Sequence, residues 1–553
     1  MLRAIAYPSI LKERAIGTKQ REQLNQWLLV LAFTVAALPQ VYKLYLPVQE
    51  IFSGFIPDDA LYYYKTALNI RMGWGPTFDT VNVTNGYHPL WMLICVLLSF
   101  ITTHIYAYLY LVLCVNLALA LLFSWQIFEL FRPRLGMNFA LLLVGLLNWN
   151  FWSAKIIFSG LETPLYLCLF LLSLSHLLSL SPTQPKALAL LGLWWGLTFL
   201  ARTEFILLLP VFVLYLYSQL YRQRPVAWLK LTGYWGLPFA LLTLPYLAYN
   251  YLLMGHLQQI SGLVKNLVGL YHWQGGVWHL GLLAAKNLLA PLALAPVYLL
   301  VQSERTYLLV NALPALLLVS GLVIGWRKAR QQDWPLALLL ICGGISTVYY
   351  FVEFGEPAYW HLAIMCIATQ ILFVYAIKAL YAQAPIARRF AVALLIGLLW
   401  LIYGLQTPTY AYLFRSTNFH FIAPVYYQHE IAIWIKANLP PDSTIGVWNA
   451  GYVGYFSEHK VVNLDGLMNG KALYEALKNS HNYTKESPGV YQFIRDQQLD
   501  YISDYYFGEP GPPHSPLAAD LTLVHTVGPQ QVMLNGKALD VDWYIWKVRH
   551  SGR

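Results

Sequence analysis

Apolar runs near the bilayer-spanning length of ~20 residues recur along this chain, and they leave few folds open to it. Of its 553 residues, 58% are hydrophobic and only 11% are charged. A water-soluble fold of this length has no use for so much apolar surface, so the pattern predicts a polytopic α-helical membrane protein. Twenty Trp and forty Tyr suit aromatic belts at the two membrane–water interfaces. The net charge of +10 falls in short loops between apolar runs. It reads as topology, and no nucleic-acid partner is expected. Cys95, Cys114, Cys168, Cys342 and Cys366 all lie in apolar segments without a CxxC pair, which argues against a disulfide framework or a zinc site.

Basic clusters order the spans, because Lys and Arg favour cytoplasmic loops. They occur in the N-terminal 1–25 (Arg3, Lys12, Arg14, Lys19, Arg21) and at Arg132/Arg134, Lys186, Arg222/Arg224/Lys230, Arg327/Lys328/Arg330 and Arg388/Arg389. Placing all six inside predicts eleven spans: 26–46, 106–131, 137–154, 161–180, 186–201, 204–221, 230–253, 307–325, 335–352, 359–381 and 388–410. The N-terminus is then inside, with an uncleaved first span, and the C-terminus outside. Two apolar runs break this parity, 89–103 and 277–301. They are read as interfacial or re-entrant helices on the outer side; if both cross, the count is thirteen and the intervening basic loops change sides.

Residues 26–412 thus form the transmembrane part. Thirteen of the 26 acids lie beyond residue 410, and that shift marks an extracytoplasmic domain over 413–553. An amphipathic helix is expected over 423–439, ended by Pro440-Pro441. Strands are expected at 444–448 and 461–464, with weaker ones at 500–503, 521–527 and 543–548. A loop is expected at 508–516. This is the pattern of a small α/β domain. Gly446, Gly451 and Gly454 follow a strand, but the full GxGxxG or GxxxxGK[ST] pattern is absent, so no nucleotide cofactor is expected. Asn82-Val83-Thr84 and Asn482-Tyr483-Thr484 match the glycosylation acceptor pattern, which has meaning only in a secretory pathway.

The thirteen earlier acids are unevenly placed. Eight fall on the expected outer side or its rim: Glu50, Asp58, Asp59, Asp79, Glu162, Glu204, Glu353 and Glu356. Acids contribute little to topology, so their gathering points to a site on that face. The first outer loop, 48–105, is the densest region. It holds Pro57-Asp58-Asp59, Tyr62-Tyr63-Tyr64, Gly73-Trp74-Gly75 and Thr84-Asn85-Gly86-Tyr87-His88-Pro89-Leu90-Trp91. If a helix starts after Pro57, then Asp59, Tyr62 and Tyr63 share one face, and Asp58 or Asp59 can cap it. The alternative role for the pair is catalysis beside a histidine.

Pro-Asp-Asp-x-x-Tyr-Tyr after the first span, followed by Gly86-Tyr87-His88-Pro89-Leu90-Trp91, resembles the GT-C superfamily of integral-membrane glycosyltransferases. That superfamily includes polyprenyl-phosphate-sugar-dependent protein mannosyltransferases and aminoarabinose transferases. The resemblance covers about residues 25–260, with support from Ser159–Tyr166, Leu200–Glu204 and Tyr249–Gly262. It implies a catalytic base in the first outer loop, carried over onto Asp58 with Asp59 as runner-up. It implies a polyprenyl-phosphate-sugar donor, an acceptor outside the cytoplasm (glycolipid, polysaccharide or protein), and a setting in the cell (inner) membrane.

The residues fit that chemistry. A sugar on a lipid phosphate already has a good leaving group, so the demand is for a base at the acceptor hydroxyl and cations at the departing phosphate. One base without a covalent carboxylate implies inversion at the anomeric carbon. Candidate phosphate partners are Arg202, Lys265, His88 and His256. Arg202 leads, because a guanidinium can be bidentate to phosphate; its plainer role is a structural pair with Glu204. Glu162 can bind sugar hydroxyls, help the base, or hold a divalent cation with Asp58. Tyr62, Tyr63, Tyr87, Glu204, Glu356, Trp360 and His361 are candidates for the sugar or acceptor face. No dedicated metal site and no organic cofactor are expected; a divalent cation stays open. The rival readings are a transporter or flippase of lipid-linked sugars, for which no internal repeat is visible, and a non-catalytic glycan-binding membrane protein.

Overall fold

The computed structural model describes residues 27, 29–46, 48, 55–180, 184–219, 225–272, 323, 327, 333–354, 358, 360–383, 423–481, 487–507, 520–534 and 537–550. The expected segments 277–301 and 388–410, and nearly all of 307–325, lie outside these residues. So do Glu50, Glu356, the loop at 508–516 and Asn482-Tyr483-Thr484.

Among the described residues the regular elements of the first part are helices, apart from one isolated bridge between Thr77 and Val83. Helix α1 is Leu29–Leu44. The first loop then contains α2 (Asp58–Arg71) and α3 (Pro89–Ser99), followed by α4 (Ile105–Leu135), α5 (Met137–Trp149), α6 (Phe151–Ile157), α7 (Thr163–Ser179) and α8 (Pro185–Ala201). Next come α9 (Phe205–Gln219), α10 (Pro225–Met254), α11 (Ile260–His272), α12 (Trp334–Phe354) and α13 (Ala363–Gln383). Among the described residues, four helices are long and apolar enough to cross a membrane by length and composition: Ile105–Leu135, Leu229–Met254, Trp334–Phe354 and Ala363–Ala382. Six others are apolar but shorter, α1 among them. The chain is an integral membrane protein. Helix α3 has 11 residues, about 16 Å at 1.5 Å per residue, which is half a hydrocarbon core.

The segment expected as one span over 137–154 is broken. Helix α5 stops at Trp149, and Asn150 adopts an extended conformation. Its Oδ1 then accepts from the Ser153 backbone N–H at 3.1 Å and starts α6. A polar side chain thus competes with the helix ladder inside an apolar run.

The C-terminal domain opens with α14 (Ala423–Asn438), ended by the two prolines as expected. It continues through β1 (Thr444–Val447), α15 (Gly451–Phe456), β2 (Lys460–Asn463), α16 (Lys471–Ser480), α17 (Pro488–Asp496), β3 (Tyr501–Phe507), β4 (Leu521–Leu534) and β5 (Lys537–Val548). The five strands form one sheet in the order β2-β1-β3-β5-β4. Strand β1 pairs in parallel with β2 and β3; β5 pairs antiparallel with β3 and β4. The strands expected to be weak, β4 and β5, are the longest. Register shifts at Leu523/His525 and Val527/Gln530 interrupt the period-2 alternation that would have revealed their length.

Candidate active site

Helix α2 forms where its sequence directs. Pro57 precedes it, two acids occupy the first turn where the helix dipole favours negative charge, and Arg71 closes the last. Neither acid caps α2 itself: Pro57 is the N-cap and no side chain bonds there. The two carboxylates part company. Asp59 turns to a small polar cleft of about 60 Å³ lined also by Tyr62, Tyr63, Glu162, Arg202, Lys265 and His361. Its Oδ2 lies 3.4 Å from Lys265 Nζ. Asp58 turns to the C-terminal domain, where its Oδ2 accepts from the Gly451 N–H at 3.0 Å and its Oδ1 from the Tyr452 N–H at 2.9 Å. Burial pushes the Asp58 carboxyl up to about 7; the two N–H bonds oppose this, and the charges of Asp59 and Asp465 add to it.

The loop that follows α2 is tied back on it. Asn69 Nδ2 donates to the carbonyls of Thr77 at 2.9 Å and Phe78 at 3.0 Å. Asp79 Oδ1 accepts from the N–H groups of Val81 and Asn82 at 2.9 and 2.7 Å. Asn85 then joins the loop to α10 and α11: its Nδ2 donates to Asn250 Oδ1 at 3.0 Å, and its Oδ1 accepts from the Ile260 N–H at 2.9 Å. These bonds deliver His88 to the cleft, where its own N–H donates to the Tyr63 hydroxyl oxygen at 3.0 Å.

At the base of the cleft three buried charges meet. Arg202, just past α8, has its Nε 2.8 Å from Glu204 Oε1 and 3.3 Å from Glu162 Oε1. Its Nη1 donates to the Trp360 carbonyl at 2.9 Å. The Tyr350 hydroxyl also bonds Glu204. The Arg202 guanidinium is held above its usual range: burial works against its charge, and Glu204, Tyr350 and Glu162 overcome it. A guanidinium beside two carboxylates offsets their charge where water is scarce.

His88 is the adjustable member. Burial lowers its imidazole below the usual range despite Glu162 and Glu204 nearby, so the ring is neutral near pH 7. Gln259 Nε2 donates to the Tyr87 carbonyl at 2.6 Å and to the Tyr246 hydroxyl oxygen at 2.8 Å, and lies 3.2 Å from His88 Nδ1. The other ring nitrogen, Nε2, faces Glu162 Oε1 at 3.9 Å.

Beside the cleft is a larger chamber of about 360 Å³, walled by Phe199, Ile206, Leu207, Leu247, Leu257 and Phe354. Cleft and chamber share His88, Arg202, Ser261, Lys265 and His361. His361 stacks on Tyr350 with ring centroids 4.6 Å apart; burial, with Lys265 and Arg202 near, holds its imidazole well below the ordinary value.

Most of the residues expected from sequence converge here: Asp59, Tyr62, Tyr63, His88, Glu162, Arg202, Lys265, Trp360 and His361 line the cleft, and Glu204 lines the chamber. Three do not. Tyr87 is buried beside Tyr246 and Tyr249. His256 sits against Tyr474 of α16, ring centroids 5.9 Å apart. Asp58 is committed to α15. Tyr62 reaches the cleft, but its hydroxyl is a hub: it donates to Asp465 Oδ2 at 2.9 Å and accepts from the Ala450 N–H and Asn463 Nδ2. Sequence reasoning missed Gln259, Ser261, Leu467 and Met468. Among the described residues no group of three or more His, Cys, Asp or Glu could hold a metal ion.

Helices and cleft together describe an integral membrane protein with a GT-C-like fold. The profile of the Dolichyl-phosphate-mannose-protein mannosyltransferase family matches residues 110–249, and that of a Domain of unknown function (DUF8728) matches residues 419–544. The fold is similar to the apo oligosaccharyltransferase of Archaeoglobus fulgidus, at 12% identity over 86% of this chain and 69% of that one, with a TM-score of 0.50. It is also similar to ArnT from Cupriavidus metallidurans bound to undecaprenyl phosphate (13% identity, 93% and 98% covered, TM-score 0.47). The apo state of that ArnT gives 13%, 94% and 98%, with a TM-score of 0.48. No curated protein matches the sequence.

Proposed function

We propose that the protein is a glycosyltransferase that moves a sugar from a polyprenyl-phosphate-linked donor to an acceptor hydroxyl on the extracytoplasmic side of the cell membrane. The observation that carries this reading is the pairing of a polar, acid-bearing cleft with an apolar chamber across one cationic wall. The chamber suits an isoprenoid chain, the wall a phosphate, and the cleft a sugar. The partial match to the mannosyltransferase profile supports the same chemistry.

Asp59 is the base in this mechanism. It takes the proton of the acceptor hydroxyl as that oxygen attacks the anomeric carbon; the bond from that carbon to the phosphate oxygen breaks, and the lipid phosphate leaves with the electron pair. A single displacement inverts the anomeric centre. Lys265, part-exposed, and His88 meet the departing phosphate. Arg202, held by Glu162 and Glu204, contributes field and shapes the wall. The acceptor is a glycolipid, polysaccharide or protein.

The test is sugar release or transfer from synthetic polyprenyl-phosphate hexoses and pentoses by the purified protein in liposomes. Asp59→Asn should lower turnover by about 10²–10⁴-fold, the usual worth of a general base, with donor binding retained. Equal turnover in wild type and Asp59→Asn, or passage of intact lipid-linked sugar across the bilayer, would overturn the reading.

A further inference from the structure

We propose that Asp58 is a positioning residue, whose carboxylate caps the first turn of α15 and so fixes the Asp465–Met468 loop as the roof of the cleft that Asp59 lines. The inference rests on the reading of Asp59 as the base. It assigns the C-terminal domain a part in the site.

Both Asp58 oxygens are engaged by the first two N–H groups of α15, the groups a helix leaves without internal partners. A carboxylate accepting two backbone N–H bonds is held in place by both. The surrounding contacts admit little slack. A Cβ on Gly451 would sit 2.3 Å from the Asp58 carbonyl oxygen, and one on Gly454 would sit 2.3 Å from the Phe78 ring. Gly451 is therefore where the first loop's backbone meets the domain, and Gly454 is where the Phe78 ring packs on it. Tyr452 Oη donates to the Ile56 carbonyl at 2.8 Å and Tyr455 Oη to the Ile105 carbonyl at 2.6 Å. The short helix is thus pinned on both sides of α2.

From α15 the constraint reaches the cleft in two steps. Asp465 Oδ2 accepts from the Tyr62 hydroxyl and from the Asn449 N–H, just before α15. Its Oδ1 accepts from the Leu467 N–H at 2.8 Å. Leu467 and Met468 then line the cleft together with Glu162 and Arg202. A Cβ on Gly86 would meet the Leu467 carbonyl oxygen at 2.0 Å, so the roof lies directly on the first loop. A roof of a leucine and a methionine over a polar floor limits the bulk of the acceptor that reaches Asp59.

The experiment compares Asp58→Asn, Asp58→Ala, Met468→Ala and Asp59→Asn in the full-length protein in liposomes. Hydrogen exchange over residues 451–456 and the KM and kcat of transfer are followed together. Asparagine retains one of the two accepting oxygens and turns its NH2 toward the other N–H. Asp58→Asn should therefore lose part of the helix protection, and Asp58→Ala should lose it more fully with the acceptor KM raised about tenfold, both keeping kcat within about threefold of wild type. Met468→Ala should widen the range of acceptors without loss of protection. The proposal is overturned if Asp58→Asn and Asp58→Ala are equally inactive while exchange over 451–456 stays as in wild type, the signature of a lost base. An inert Asp59→Asn would sink the proposed mechanism, while the exchange data would still decide the role of Asp58.

Discussion

Arg202 stands between Glu162 and Glu204 in the wall of the cleft, and its removal would leave two buried carboxylates without their counter-ion. Truncating one member of a buried ionic group costs about 3–5 kcal/mol. Arg202→Ala should therefore lower the thermal midpoint in detergent markedly, beyond any loss of turnover. Asp58 has the opposite electrostatic character. Its carboxyl rises from an ordinary value near 3.8 to about 7 because burial, with Asp59 and Asp465 close by, disfavours the charge. A group raised on folding stabilises the folded form fully below its unfolded value and loses that contribution as the pH climbs through the folded one. Stability should accordingly fall between about pH 4 and pH 7, and Asp58→Asn should flatten that slope in thermal unfolding followed across the range. The two acids are adjacent, and a sequence presents them as one feature. On a helix, neighbours diverge by about 100°, which is enough to send one carboxylate to the cleft and the other to a different domain. The pair was legible from its place after the first span. Its division of labour was not, because the partner of Asp58 is a backbone turn nearly 400 residues away.

Helix packing around the site depends on two glycines. A Cβ on Gly192 of α8 would stand 1.9 Å from the Trp235 carbonyl oxygen of α10, and one on Gly269 of α11 would stand 2.0 Å from the Glu353 carbonyl oxygen of α12. Such close approach leaves no room for a methyl group, and overpacking of this kind costs about 1–3 kcal/mol. Helix α11 also carries Ser261 and Lys265 to the shared wall. Gly269→Ala should thus raise the donor KM severalfold by shifting that helix, whereas Gly192→Ala should lower stability with less effect on KM; steady-state kinetics beside thermal unfolding separates them. The helices were well marked in the sequence, since apolar length is a strong signal. The break at Asn150 and the long β4–β5 pair were poorly marked. In each case one residue's hydrogen bonds or a register shift overrode the periodicity on which the expectation rested.

At the scale of the whole molecule, the membrane part and the C-terminal domain share a polar seam. Tyr62 is its centre, bonded at once to Asp465, Asn463 and the Ala450 N–H. Tyr62→Phe removes all three bonds and strands buried groups, each at about 1–3 kcal/mol. Limited proteolysis should then release the C-terminal domain at lower protease concentration than in wild type. The α/β character of that domain could be read from its acids and strand pattern. Its seat on the first loop could not, since the seam is built from glycines and backbone groups that leave no periodic trace.

Tyr62 and Asp465 lie 403 residues apart in the chain. At a synthesis rate of about 5–20 residues per second, roughly 20–80 s pass between the emergence of one and the other. From the synthesis of Arg202, 263 residues before Asp465, the nascent protein holds Asp59, Glu162 and Arg202 in a cleft still without its roof. Each newly made copy therefore carries a built-in delay, and competence arrives only with the last quarter of the polypeptide.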